Sequence, residues 1–165
     1  MTEADDLEAV YRCYIVMVRN RACRILGDRA AAQDVAQDVF VKFMLRRRNR
    51  GAEQDTPSLL YRMATNAALN RLRSLGRRGR ALRREGPPPA ATDDACDDRL
   101  ALRAVLARVP EDEALVAAYY YVDGLLQAEI ATLLQMERRT VGNRLEAFRR
   151  RARRLLGGGE VSHVA

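Results

Sequence analysis

Five polar side chains in the middle of the chain recur at the spacing of one helix face, and their types suit nucleic acid. Successive members are four, four, three and four residues apart, which places them on one stripe opposite an apolar stripe. They are Arg62, Asn66, Asn70, Arg73 and Arg77. Arginine binds phosphate through a planar charged fork, and asparagine can bond a base edge. A solvated face is the alternative, but asparagine is a poor helix former, so we expect this stripe to contact DNA or RNA.

A second group of the same kind opens the last predicted helix. Residues 127–144 fit a helix-turn-helix, with Ala131 where two helices cross closely and Val141 packing back from the second helix. The candidate contacts to a DNA major groove are Arg138, Arg139, Thr140, Asn143 and Arg144. An ordinary helical hairpin is the alternative, because the pattern alone is only moderately specific.

An acidic patch on the predicted second helix indicates a different partner. Asp34, Gln37 and Asp38 share one face, opposite Val35 and Val39, in a chain whose formal net charge is +7. Because like charges repel, a DNA-binding surface would exclude such a patch. The residues alone leave two alternatives, a basic protein partner or no partner.

Residue types suited to catalysis or metal binding are sparse. Cys13 and Cys23, if on one helix, would lie about 15 Å apart, too far for a disulfide or a shared metal. The single histidine, His163, lies in a Gly-rich tail. Because there is no phosphate-binding glycine loop and no nucleophile beside a base, we expect no catalytic residue, metal, cofactor or small-molecule substrate. A site built from carboxylates alone is the remaining alternative for an enzyme.

The cellular location is predicted from what the chain lacks. No run approaches the ~18 apolar residues of a membrane span, and the N-terminus is acidic where a secretory signal would be basic. We therefore expect a cytoplasmic protein.

The elements that must position these residues are all predicted helices. Apolar residues recur at helical spacing in three segments before residue 78 and in four segments after residue 97. Gly27 ends the first helix, Asp28 caps the second, and Thr56 followed by Pro57 begins the third with threonine as the cap.

The order of these helices predicts two domains. A glycine and three prolines between residues 86 and 92 show no apolar periodicity and indicate a linker. The sequence therefore predicts an all-α protein: a three-helix bundle at residues 1–78, a flexible linker at 79–97, and a four-helix domain with a helix-turn-helix at 98–165.

In this order the segments resemble the extracytoplasmic-function sigma factors of bacterial RNA polymerase. The segment from Gly27 to Phe40, which ends Asp-Val-Ala-Gln-Asp-Val-Phe, is similar to the family's motif for binding the polymerase core. Residues 60–73 look like the helix that opens and reads the minus-ten promoter element. Val109-Pro110-Glu111 and residues 124–145 look like the domain that binds the minus-thirty-five element.

The resemblance implies partners and roles. Asp34, Gln37, Asp38 and Phe40 would bind the core through its beta and beta-prime subunits. The stripe that begins at Arg62 would capture single-stranded minus-ten DNA, with one base flipped into a pocket near residues 49–56. The residues from Arg138 to Arg144 would bind duplex DNA at the minus-thirty-five element, and an anti-sigma factor would be a further partner.

The sequence departs from the family at positions that affect promoter choice. Leu59 stands where tryptophan is common, and Thr65 and Asn70 stand where arginine and aspartate are frequent. Gln135 replaces the usual glycine of the helix-turn-helix, which we expect to strain or reshape that turn. Gly142 occupies a recognition-helix position where lysine is typical, at a helix-propensity cost of about 1 kcal/mol.

Two other classes of function would also use such a basic chain. A structural nucleic-acid-binding protein would need only arginine-rich helices on a tether, and it would not require Asp34 or Asp38. A nuclease acting through carboxylates would require magnesium-dependent turnover.

Overall fold

The computed structural model describes residues 3–50, 55–82 and 94–157, and almost all of these residues are helical. The helices are α1 (Glu3–Leu26), α2 (Arg29–Arg50), α3 (Thr56–Leu82), α4 (Asp94–Leu106), α5 (Glu111–Ala117), α6 (Gln127–Leu134) and α7 (Arg138–Leu155), with a π-helical turn at Ala118–Val122 directly after α5. Since these residues contain no strand, the prediction of an all-α fold is confirmed.

Contacts divide the chain into two compact units, Met1–Arg71 and Leu72–Ala165. The boundary falls inside α3. Because α3 continues to Leu82 and α4 begins at Asp94, both helices extend into the segment 79–97 that was predicted as a linker. Gly86 and the three prolines that follow it lie outside the described residues, so the predicted domain bounds stay a prediction.

The first unit is built from α1, α2 and most of α3. Gly27 has a φ of 73°, a left-handed conformation that ends α1 without a Cβ clash. The Asp28 carboxylate accepts a 2.8 Å hydrogen bond from the Ala31 backbone N–H, so Asp28 caps α2 as predicted. The apolar stripes meet between the helices, and their buried members include Val18, Ala22, Ile25, Val35, Ala36, Val39, Leu60, Ala64 and Ala68.

The start of α3 differs by one residue from the prediction. The Asp55 carboxylate accepts a hydrogen bond of 3.3 Å from the Ser58 backbone N–H, and the Asp55 carbonyl accepts one of 3.1 Å from Leu59. Asp55 is therefore the N-cap and Thr56 is the first helical residue. The prediction that Thr56 is the cap was wrong, because aspartate caps at least as well as threonine and precedes it by one position.

The second unit is organised around α7. Its buried side presents Val141, Leu145 and Phe148 to α5 and α6. Ala131 on α6 is also buried, which agrees with the close helix crossing predicted by the helix-turn-helix pattern. Arg151 donates from Nε to both carboxylate oxygens of Glu113, at 3.0 and 2.9 Å, and thereby ties α7 to α5.

The turn between α6 and α7 carries an unusual residue. Gln135 has a φ of 53° and is the one described non-glycine residue with positive φ. Its N–H donates to Thr132 O at 3.2 Å, and the Met136 N–H donates to Ala131 O at 2.9 Å. This is the Schellman pattern, which normally places glycine at the left-handed position. Of the two expected effects, the structure favours strain, since the turn keeps its usual hydrogen bonds with Gln135 in the left-handed conformation, where a Cβ costs roughly 1–2 kcal/mol.

Candidate nucleic-acid interface

The part of the α3 stripe in the first unit is only partly open to solvent. Arg62 and Asn66 are half-buried, and Asn70 is exposed. The Asn66 Oδ1 atom is buried and accepts no hydrogen bond from the described residues. Leaving a buried acceptor unpaired costs about 1–3 kcal/mol. Asn66 is thus an amide whose hydrogen-bonding capacity is not used up within the protein.

The remaining stripe residues, which lie in the second unit, have different surroundings. Arg77 is exposed. The Arg73 side chain is only 14% exposed, and its Nη1 lies 3.7 Å from Glu111 Oε2. The spacing predicted one polar stripe, and along it the structure leaves Arg77 open and covers most of Arg73.

A buried arginine fixes α3 from behind. Arg21 on α1 is 2% exposed, and its Nε donates a 2.9 Å hydrogen bond to Thr65 Oγ1. Thr65 in turn donates to the Tyr61 carbonyl at 2.9 Å, and the Arg21 guanidinium lies 4.7 Å from the centre of the Tyr61 ring. This cation–π and hydrogen-bonded arrangement joins α1 to α3 at Thr65, the residue that precedes Asn66.

Sequence reasoning missed Arg21. A signal was present, because position 21 falls between Val18, Ala22 and Ile25 on the buried stripe of α1. An arginine within an apolar stripe requires polar partners. Its main partner, Thr65, lies 44 residues away along the chain, so the partner could not be found from local spacing.

The exposed face of α2 extends the predicted acidic patch. Asp34, Gln37 and Asp38 are all exposed. Further along the same face Val41 and Leu45 are 57% and 56% exposed, which the sequence analysis did not single out. We call these five residues the α2 surface. It combines carboxylates with apolar side chains, a composition suited to a protein partner.

Phe40 differs from the other predicted core-binding residues. It is 4% exposed, and its ring meets the Tyr11 ring edge to face at 4.8 Å between centroids. Phe40 therefore packs α2 onto α1 within the first unit. Its contribution to a partner surface would come through the position of α2.

The candidate residues at the start of α7 differ in how exposed they are to solvent. Arg138, Arg139 and Asn143 are exposed, and Thr140 is half-buried. Arg144 is more restrained, because its Nε lies 3.3 Å from Asp112 Oδ2 and its Nη1 donates to the Met136 sulfur at 3.6 Å. Arg139 and Asn143 lie on the side of α7 away from its buried residues, as a groove-reading face requires.

The middle of α7 packs against the π-helical turn through aromatic residues. Arg149 donates from Nε to the Tyr121 hydroxyl at 3.1 Å and lies 5.8 Å from the centre of the Tyr120 ring. The hydrogen bond to Tyr121 raises the pKa of Arg149, and burial opposes that shift in part. Arg149 is thus charged throughout the physiological range and anchors α7 to the turn.

Two further observations concern the described residues as a whole. Within residues 3–50, 55–82 and 94–157, no group of three or more histidine, cysteine, aspartate or glutamate side chains is arranged to hold a metal ion. None of the helices in these ranges combines the length and apolarity needed to span a membrane.

Comparisons with known proteins agree with the resemblance stated above. Residues 10–78 match the family model for sigma-70 region 2. The fold of the chain is similar to that of the sigma factor RpoE, solved in complex with the anti-sigma factor NepR from Bartonella quintana, with a TM-score of 0.51 at 17% sequence identity. That similarity covers 94% of this chain and 99% of the RpoE chain. No curated protein sequence matches the chain. These matches are consistent with the expected resemblance: a sigma-70 region 2 segment at residues 10–78 and a fold similar to that of RpoE.

Proposed function

We propose that this chain, a sigma factor with a sigma-70 region 2 domain at residues 10–78, directs core RNA polymerase to specific promoters and assists promoter melting. One observation carries the proposal. Within the region 2 segment, α3 carries the half-buried Asn66, whose buried amide oxygen has no partner among the described residues, and Arg21 bonds the neighbouring Thr65. A rigid helix with unused amide capacity is suited to bond exposed bases of a melted strand.

The work is divided between the two predicted domains. The domain at 1–78 binds the core and the minus-ten strand, and the domain at 98–165 binds duplex DNA at the minus-thirty-five element. A base flipped from the minus-ten strand would enter near residues 49–56, of which residues 51–54 lie outside the described ranges.

On α3 the two residue types have different tasks. Asn66 and Asn70 contact base edges, whereas Arg62, Arg73 and Arg77 contact the phosphate backbone. Arg77 is the most available of these arginines for phosphate, because it is exposed. Arg73 would first have to leave Glu111.

The α2 surface is the proposed site for the polymerase core. Asp34 and Asp38 would meet basic residues of the beta and beta-prime subunits, Gln37 would add hydrogen bonds, and Phe40 would hold α2 in place. The exposed Val41 and Leu45 extend the same face, so the interface would have an apolar part beside its acidic part.

On α7, Arg139 and Asn143 are the proposed base-reading residues. Arg138 and Thr140 are proposed to contact the phosphates that flank them, and Arg144, which is paired with Asp112, to contact phosphate only once it leaves that carboxylate. The exposure of Arg139 and Asn143 on the outer side of α7 supports this assignment.

The remaining parts of the proposal follow from the family. The chain carries no catalytic site, acts where transcription takes place in the cytoplasm, and needs no cofactor. RpoE was solved with an anti-sigma factor, and we extend to this chain the proposal of such a partner.

Run-off transcription tests the function directly. Purified core polymerase is assayed with and without the chain on promoter DNA selected from a random library by the reconstituted complex. We expect transcripts of defined start only when the chain is present, and fewer of them with the variant Asp38→Arg at the same protein concentration. A structural DNA-binding protein would bind DNA without stimulating initiation, and a nuclease would cleave the template when magnesium is added.

A further inference from the structure

Arg144 differs from the other arginines at the start of α7. Its side chain is 29% exposed and is restrained by Asp112, the second residue of α5, at 3.3 Å. Arg138 and Arg139 are exposed. The ion pair joins residues 32 positions apart in sequence, so it is a tertiary contact and not a product of helix spacing.

The direction of Arg144 also differs. At 3.6 residues per turn, Arg144 lies about 100° around the helix from Asn143 and about 140° from Arg139. Arg144 therefore lies beside the face that carries Arg139 and Asn143, on the side of α7 that is nearer to Asp112 of α5. From that position it can reach a phosphate beside the groove but not the base edges that Arg139 faces.

Two of the three nitrogens of the Arg144 guanidinium are already engaged within the protein. Nε faces the Asp112 carboxylate, and Nη1 donates to the Met136 sulfur. To bind a phosphate fully, the guanidinium must leave Asp112 or share its charge with it. A carboxylate kept beside the phosphate would also repel it.

We propose that Asp112 is a specificity-determining residue: it restrains Arg144 and so lowers sequence-independent binding to DNA. The inference rests on the proposed function, because it requires that α7 binds duplex DNA. Weaker phosphate binding leaves the contacts of Arg139 and Asn143 as a larger share of the total affinity. The ratio of specific to non-specific affinity then rises.

The size of the effect follows from the exposure of the pair. The Asp112 carboxylate is 54% exposed, and exposed ion pairs are weak, so releasing Arg144 should raise affinity about two- to fivefold. The release should also add about one phosphate contact. The plot of log affinity against log salt would then steepen by about 0.9.

The experiment measures binding of the full chain to a short fluorescent duplex of random sequence by anisotropy between about 50 and 200 mM salt. The variants are Asp112→Asn, Arg144→Ala, the two combined, and the control Asp98→Asn. Asp98 is an exposed carboxylate on α4. The control removes the same charge without releasing Arg144. Thermal unfolding of each variant verifies the fold.

We expect Asp112→Asn to bind more tightly with the steeper salt slope, and Asp98→Asn to keep the wild-type slope. Arg144→Ala should change the wild-type slope little and should abolish the gain in the combined variant. Equal slopes for Asp112→Asn and Asp98→Asn would overturn the proposal. The proposal would also be overturned if Arg144→Ala alone made the slope of log affinity against log salt shallower by about 0.9. Arg144 would then already bind a phosphate in the wild type.

A second arm separates this inference from the proposed function. The complex of each chain with core polymerase is titrated onto its selected promoter and onto the same promoter with a scrambled upstream element. The inference expects Asp112→Asn to reduce the preference for the intact element. If the wild-type complex shows no preference between the two DNAs, the proposed function itself fails, whatever Asp112 does.

Discussion

The two helices that carry the candidate DNA contacts, α3 and α7, differ in which of their residues the rest of the protein restrains. On α3, the buried Arg21 supports the helix from inside, and the predicted base-reading residue Asn66 retains an unpaired amide oxygen. On α7, Arg139 and Asn143 are open, while Asp112 restrains Arg144 at the edge of the face. The comparison teaches that a basic helix can be adapted for DNA in two ways. A buried contact can hold the helix in place, or an acidic neighbour can make one of its arginines less available to phosphate.

The largest expected effect is on the free energy of unfolding, and it comes from removing the side chain of Arg21, which supports α3. Replacing Arg21 by alanine removes a buried side chain together with its hydrogen bond to Thr65, so we expect a loss of about 2–5 kcal/mol in unfolding free energy. Urea unfolding followed by circular dichroism measures it. The control is Arg19→Ala, an exposed residue of the same helix, which should change stability by less than about 0.5 kcal/mol. Equal stability of both variants would mean that Arg21 does not support α3.

A substitution on the α2 surface tests whether the first unit also carries a protein interface. Asp38→Arg places a cation where we propose that a basic partner binds, and like charges in an interface cost several kcal/mol. The affinity for core polymerase should fall at least about tenfold. A fluorescence titration with labelled core measures it, and Asp98→Arg on α4 is the charge-matched control. If the two variants bind core equally well, the α2 surface is not the binding site.

A smaller effect is expected at the open face of α7. Arg139→Ala should cost about 1–3 kcal/mol on the selected promoter and relax the preference at one base position. Binding to promoters with single substitutions in the upstream element reports both quantities. A loss that is uniform over all upstream sequences would make Arg139 a phosphate contact, and the distinction between Arg139 and Arg144 would disappear.

The smallest effect concerns the stability of α7. Gly142 is helical, and a Cβ added there would approach Gln127 Oε1 at 3.4 Å, an ordinary contact with the end of a flexible side chain. Gly142→Ala should therefore stabilise the protein by about 0.5–1 kcal/mol through helix propensity. Thermal unfolding measures the gain. A lower melting temperature would indicate that packing against α6 requires the glycine.

Local features of the fold were predictable from the sequence. The helical periodicity, the stop at Gly27 and the cap at Asp28 depend on neighbours within a few residues, and the structure confirms them. The one-residue error at Thr56 arose because Asp55 offered an equally good cap.

Long-range features were not predictable. Helix spacing placed Arg73 and Arg77 on the same stripe, but only the fold determines that Glu111 lies beside Arg73. The partners of Arg21 and Arg144 are also remote along the chain, 44 and 32 residues away. Periodicity identifies which side of a helix a residue occupies, and tertiary contacts decide how available its charge is.

The central claim is that asparagine and arginine on α3 do different work during promoter opening. The most direct measurement compares Asn66→Ala with Arg77→Ala in complexes with core polymerase on the selected promoter. Permanganate reactivity of melted thymines reports opening, and binding to matched and mismatched minus-ten strands over a range of salt reports how each side chain binds the strand.

We expect Asn66→Ala to reduce opening and to weaken discrimination of the correct minus-ten strand by about 1–3 kcal/mol, with the salt slope unchanged. Arg77→Ala should weaken all strands alike and flatten the salt slope by about 0.7, because one phosphate of the single strand is no longer neutralised. If Asn66→Ala opens the promoter and discriminates between strands as the wild type does, Asn66 does not read bases and the account of α3 is wrong.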